Sequence, residues 1–131
     1  PPNLGLITLN GLRISDGYII PTIPDVLSTY GIPQIVTRIH DFASSIAESI
    51  EPLGIVVSKY QSNSSLHNRT LRQIREDGKY PHVFDTVIPQ ANAIAESAEF
   101  TPINTLRQKY QYGDRYSLLE SLAREFIEAT E

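Results

Sequence analysis

Three short apolar runs, each rich in β-branched residues and bracketed by turn formers, restrict this chain to a small set of folds. Asp16-Gly17 opens Tyr18-Ile19-Ile20, which Pro21 closes; Pro52-Leu53-Gly54 opens Ile55-Val56-Val57, followed by Ser58-Lys59-Tyr60. Pro81-His82 opens the run from Val83 to Ile88, closed by Pro89. The first two are continuously apolar, as parallel strands covered on both faces require, while the third alternates and belongs nearer an edge. Between the runs the period becomes helical. Ile32, Ile35, Val36, Ile39, Phe42, Ala43, Ile46 and Ile50 form one apolar stripe. Asp25 is placed to cap a short turn, and Gly31-Ile32-Pro33 predicts a kink or restart because proline carries no N–H. Ser64 or Ser65 caps a second helix, reaching towards Lys79, with Leu66, Leu71 and Ile74 inward and Gly78 as its stop. A last helix follows Gly113-Asp114, with Tyr116, Leu118, Leu119, Leu122, Phe126 and Ile127 inward. Strands alternating with helices predict an α/β fold with a parallel, doubly wound sheet and flanking helices. Three strands make that sheet thin.

At 131 residues the chain holds one domain's worth of core. It has no cysteine, which excludes a disulfide framework and thiolate zinc sites, and no methionine. The Pro1-Pro2-Asn3 start supplies neither an initiator nor a helix cap, so the chain is expected to be the second half of a longer domain. No apolar run is long enough to span a membrane, and no basic-then-apolar leader precedes the first element. A net charge of −4 gives no global attraction to DNA, so a nucleic-acid role needs a local basic patch. His40, His67 and His82 lack metal-ligand spacing. Glu96 and Glu99 suit a solvated face. No nucleophile elbow or zinc-protease helix motif is present. Asn63-Ser64-Ser65 and Asn68-Arg69-Thr70 match the glycosylation sequon by chance.

The ordered set of elements resembles the C-terminal half of the ParA-type partition ATPases, a deviant Walker P-loop family that includes MinD-like proteins. Pro1-Pro2-Asn3-Leu4-Gly5-Leu6-Ile7-Thr8-Leu9-Asn10-Gly11-Leu12 is similar to the family's strand-end prolines and the short helix after them. Pro21-Thr22-Ile23-Pro24-Asp25 matches its Pro-x-x-Pro-acid turn, and Gly31 its next helix. Ser58-Lys59-Tyr60 matches a polar strand end, and Ile88-Pro89 through Glu96-Ser97 an Ile-Pro turn leading into a helix. The family's Gly-rich phosphate loop and the aspartate that organises Mg²⁺ have no counterpart in these residues. The 131 residues alone are therefore not expected to hydrolyse ATP.

The resemblance implies a role for each of several sites. Ser58, Lys59, Tyr60, Pro89, Gln90 and Asn92 would contact the nucleotide base; taken as residues alone, they are equally polar strand ends. Pro1, Pro2 and Asn3 would form the switch that follows the γ-phosphate, or a rigid turn. Asp25 would face a second subunit, or serve only as a cap. Arg72, Arg75 and Lys79, predicted to share one helix face, would contact DNA together with Arg107 and Lys109, with Arg69 and Arg115 adding charge. The alternative is a solvated helix diluted by Glu76 and Asp77. Tyr110, Tyr112 and Tyr116 suit core-edge packing better than base stacking.

The resemblance implies, for the intact protein, Mg-ATP binding, an ATP-dependent homodimer, non-specific DNA binding and a ParB-like or other cargo adaptor that stimulates hydrolysis. It also implies a cytoplasmic, nucleoid-associated place in a bacterium. A MinD-like membrane relative would need a basic amphipathic tail, whereas residues 120–131 carry four Glu and one Arg. An amide ligase on the same fold would need a substrate pocket. A binding module without hydrolysis is the remaining alternative.

Overall fold

The computed structural model describes residues 4–100, 102, 104–109 and 114–131, without the side chains of Ala93, Leu106 and Arg107. The order is α1 (Leu6–Arg13), β1 (Gly17–Thr22), α2 (Val26–Ser45), β2 (Glu51–Val57), α3 (Ser65–Glu76), α4 (Asn92–Glu96), α5 (Leu106–Lys109) and α6 (Asp114–Thr130). The expected Pro1-Pro2-Asn3 switch, and Tyr110 and Tyr112, lie outside the described residues.

β1 and β2 pair in parallel, from Gly17 opposite Glu51 to Thr22 opposite Val57, with α2 as the crossover. A bulge at Leu53 shifts the register between the Tyr18–Pro52 and Ile19–Gly54 pairs. β1 does not stop at Pro21. The Thr22 carbonyl faces β2 and accepts from the Ser58 N–H at 2.8 Å. Strand alternation therefore turns the missing Pro21 donor to the other edge, where no β2 bond is lost.

The third run lies parallel to β2 but forms bridges only at Val83 and Pro89. The Ile55 N–H donates to His82 (2.7 Å) and the Phe84 N–H to Ile55 (3.0 Å) at one end. At the other end the Ile88 N–H donates to Val57 (2.9 Å) and the Tyr60 N–H to Ile88 (3.1 Å). Between these pairs side chains replace the ladder. Arg75 Nη2 donates to the carbonyls of Phe84 (3.3 Å) and Asp85 (3.1 Å). The Glu125 carboxylate accepts from the N–H groups of Asp85 (2.6 Å) and Thr86 (2.9 Å) and from the Thr86 hydroxyl. The expected continuous strand is interrupted because α3 and α6 take the polar groups a ladder would use.

Helix α2 is continuous through Pro33, so of the expected kink or restart the restart does not occur. Pro33 offers no N–H to the Thr29 carbonyl four residues back. The Tyr80 hydroxyl fills that place, donating at 2.8 Å. Asp25 caps α2 itself, its Oδ1 accepting from the Ser28 N–H at 2.9 Å. Ser64 caps α3 by accepting from the His67 N–H, and the helix ends at Glu76, so Lys79 does not extend its face.

One apolar cluster joins Ile20, Ile55 and Val57 of the sheet to Ile32 of α2 and Leu71 and Ile74 of α3. A second joins Leu12 of α1 to Ile39 and Ala43 of α2 and to Ile50. Ile35 of the predicted stripe faces outward. Gly54 is set by contact: a Cβ there would lie 2.5 Å from Phe84 Cε1, and Phe84 is fully buried. Helix α6 buries less than its pattern predicts. Tyr116, Leu118, Leu119 and Leu122 are half-buried, and Phe126 and Ile127 are 40% and 54% exposed. Its Glu125 anchors it as well, through the backbone N–H groups of Asp85 and Thr86.

Candidate functional site

In a parallel sheet all strands end on one side, where their unpaired backbone groups and the following loops surround a crevice. Here that side is occupied by Thr22, Ser58-Lys59-Tyr60 and Pro89-Gln90. The Ser58 hydroxyl joins its own N–H on the Thr22 carbonyl (3.3 Å). Lys59 follows with φ +50°, a left-handed conformation that glycine, without a Cβ, would adopt more readily. This turn lets Tyr60 bridge Pro89, with the Gln90 N–H donating to the Tyr60 carbonyl at 3.0 Å.

Side chains tie the two loops further. The Gln61 amide donates to the Gln90 side-chain oxygen, and the Tyr60 hydroxyl to Asn68 Oδ1. Asn68 Nδ2 donates back to the Ser62 carbonyl at 3.0 Å. His67 Nδ1 accepts from the Gln61 N–H at 3.1 Å, which fixes the imidazole with that nitrogen unprotonated. The structure thus brings together Ser58, Lys59, Tyr60, Pro89 and Gln90, while Asn92 opens α4 as an exposed residue. The first turn of α3 was missing from the sequence-predicted site. The signal was available: a Ser64 cap puts residues 67 and 68 beside the loop it closes.

A second network starts at Asp25. Its carboxylate and the Ile23 carbonyl both lie within reach of the Ser28 hydroxyl, at 3.0 and 2.5 Å. The same hydroxyl accepts from Thr22 Oγ1 at 2.8 Å. Thr22 is therefore shared: its hydroxyl holds the start of α2 and its carbonyl holds the end of β2. Sequence reading placed Asp25 but missed Thr22 and Ser28, because a buried threonine at a strand end carries no pattern of its own.

The basic residues separate. Arg72 is exposed on α3 and makes no ion pair among the described residues. Arg75 is spent on the Phe84 and Asp85 carbonyls. Lys79 pairs with Asp77 at 2.8 Å and stacks 5.1 Å from the Tyr80 ring centre. The hydrogen bond between them lowers the Asp77 carboxyl below its usual range and raises the Lys79 ammonium. Lys109 ends α5 half-buried, and Arg107 lies two residues earlier in that short helix. No cluster among the described residues has the three or more His, Asp or Glu that a metal ion needs.

Residues 1–52 match the family model described as an AAA domain. An uncharacterised protein of Mycobacterium tuberculosis is 30% identical over 129 residues, 97% of this chain and 39% of the relative. The chromosome partitioning protein ParA of Caulobacter vibrioides is 25% identical over 100 residues, 76% of this chain and 37% of that protein. The chromosome-partitioning ATPase Soj of Thermus thermophilus is 28% identical over 101 residues, 76% of this chain and 40% of that protein. The chain thus spans about two-fifths of the length of the curated relatives it matches.

Proposed function

The chain is a relative of the ParA and Soj chromosome-partitioning proteins, a P-loop family, and on that premise we propose that residues 1–131 form the C-terminal part of one ParA-like ATPase domain. In this reading the segment recognises the base of ATP and couples its binding to a homodimer and to non-specific DNA. The observation that carries it is the joining of the Ser58–Tyr60 and Pro89–Gln90 loops at the carboxyl ends of parallel strands.

The chemistry of that crevice suits a base. The polar groups of these two loops are the Ser58 and Tyr60 hydroxyls, the Gln61 and Gln90 side-chain amides, the Lys59 ammonium and backbone groups, with no carboxylate among them. Such groups read the edge of a neutral heteroaromatic ring at about 1 kcal/mol per hydrogen bond. Ser58 and Gln90 would hold the ring edge, Tyr60 and Pro89 would flank it, and the bond to Asn68 would keep Tyr60 in place. ATP brings the charge of its phosphates and a Mg²⁺ ion. In this reading, phosphate clamping and water positioning fall to other residues of the intact protein.

Coupling to the dimer would run through Thr22. A base seated on Ser58 would fix the Thr22 carbonyl, and the Thr22 hydroxyl would fix Ser28 and Asp25 at the start of α2. Asp25 would then face the second subunit. Arg72, with Arg107 and Lys109, would contact phosphates; Arg75 and Lys79 would exchange their present partners to do so. A ParB-like or other cargo adaptor would stimulate hydrolysis, and the protein would reside on the nucleoid in the cytoplasm. No helix among the described residues is long and apolar enough to cross a membrane.

Retention of the intact protein on non-specific duplex DNA, with and without ATP across a salt series, tests this reading. Binding should require ATP, and its logarithm should fall linearly with that of the salt concentration. Equal retention in both states would refute the coupling.

A further inference from the structure

The third run carries two more residues than its ladder with β2 uses. Val83 bridges Ile55, and in a regular parallel register the Val57 carbonyl would next accept from the Thr86 N–H. It accepts from the Ile88 N–H instead, at 2.9 Å, so Asp85 and Thr86 are looped out. Side chains from two helices hold them there. Glu125 of α6 takes the N–H groups of Asp85 (2.6 Å) and Thr86 (2.9 Å), and the buried Thr86 also gives it its hydroxyl. Arg75 of α3 donates to the carbonyls of Phe84 (3.3 Å) and Asp85 (3.1 Å).

This register decides where the Pro89–Gln90 loop sits. With Ile88 on Val57, the Tyr60 N–H reaches the Ile88 carbonyl and the Gln90 N–H reaches Tyr60. With Thr86 on Val57, Pro89 and Gln90 would run about 6–7 Å beyond Tyr60. The shift is even, so every side chain keeps its face and alternation does not choose between the two registers. Val87 and Ile88 favour the observed one by packing on the core. The clamp adds to it by giving Asp85 and Thr86 partners outside the ladder. Resting on the nucleotide reading above, we propose that Glu125, assisted by Arg75, is a positioning residue of the base site. Without touching the nucleotide, it sets the register that brings Gln90 to Tyr60 and so joins α6 to the base loop. Arg75 is exposed, and the DNA reading would draw it to a phosphate, so Glu125 is the residue that tests the clamp cleanly.

In the intact protein, Glu125→Ala should weaken ATP about tenfold and leave inorganic triphosphate unchanged, because only the base loop moves. Amide exchange at Ile88, measured by NMR without nucleotide, should quicken about tenfold or more. Deleting Asp85 and Thr86 puts Ile88 into the regular ladder position with no clamp needed. On that background ATP binding should stay near wild type, and Glu125→Ala should cost less than about twofold. A purely structural role of Glu125 would not be rescued in this way. Should the deletion not fold, Glu125→Gln, which keeps one acceptor, should lose less ATP affinity than Glu125→Ala. Equal loss of ATP and triphosphate in Glu125→Ala would overturn the proposal. So would unchanged exchange at Ile88, a deletion that rescues nothing, or a Gln variant as weak as the Ala variant. Full ATP affinity in Glu125→Ala with Gln90→Ala weakened would overturn the clamp and leave the base site standing. No effect of either variant would remove the base site, and the clamp's role with it.

Discussion

The Tyr80 hydroxyl and the Thr29 carbonyl lie 2.8 Å apart, and this bond occupies the acceptor that Pro33 leaves free inside α2. Tyr80 is buried against the same cluster that holds Ile32 and Ile74, and its bond to Thr29 is part-buried. Tyr80→Phe leaves the Thr29 carbonyl unpaired and should cost about 1–2 kcal/mol in urea denaturation. Pro33→Ala supplies the missing N–H to the same carbonyl. In that background Tyr80→Phe should cost much less, and the double-mutant cycle should give a coupling of the order of 1 kcal/mol.

Gly54 faces Phe84 with no room for a methyl group. The nearest atoms belong to a ring that is 1% exposed, so it has nowhere to move. Gly54→Ala should destabilise the fold by about 1–3 kcal/mol. Gly11→Ala, where nothing lies within 4 Å, serves as the control and should stabilise α1 slightly.

Ala47 closes α2 with φ 56°, and Glu48 donates its N–H back to the Ala43 carbonyl at 3.0 Å. This is the left-handed stop that glycine normally supplies. Ala47→Gly should therefore raise stability by about 0.5–1 kcal/mol, read as a higher denaturation midpoint with an unchanged slope.

Burial, with Glu51 nearby as the smaller cause, raises the Tyr18 phenol above its ordinary value near 10. Its folded form thus favours the proton more than its unfolded form does. The corresponding stability is present below pH 10 and is lost as pH rises through the raised value. Tyr18→Phe should flatten the alkaline limb of a stability–pH curve and leave the neutral region unchanged in slope.

The sequence made the alternation of strands and helices legible because continuous β-branched runs and a three-to-four spacing have different periods. The parallel pairing of Tyr18–Ile20 with Ile55–Val57 followed from it. Other features arise from partners distant in sequence. Tyr80 lies 51 residues from the carbonyl it serves, and Glu125 reaches 39 and 40 residues back to break the third strand. No local pattern encodes those bonds, which is why Pro33 read as a restart and Val83–Ile88 as a full strand. The strand-end residues of the site were legible from their positions. The Thr22–Ser28 link and the support from His67 and Asn68 depend on how loops fold together.

The central claim is that the loops at 58–60 and 89–90 hold the base and leave the phosphates to other residues. Calorimetric titration of the intact protein, wild type and Gln90→Ala, with ATP and with inorganic triphosphate tests it most directly. Gln90→Ala should weaken ATP about five- to tenfold, the loss of one hydrogen bond, and leave inorganic triphosphate unchanged. An equal loss for both ligands, or none for either, would contradict it.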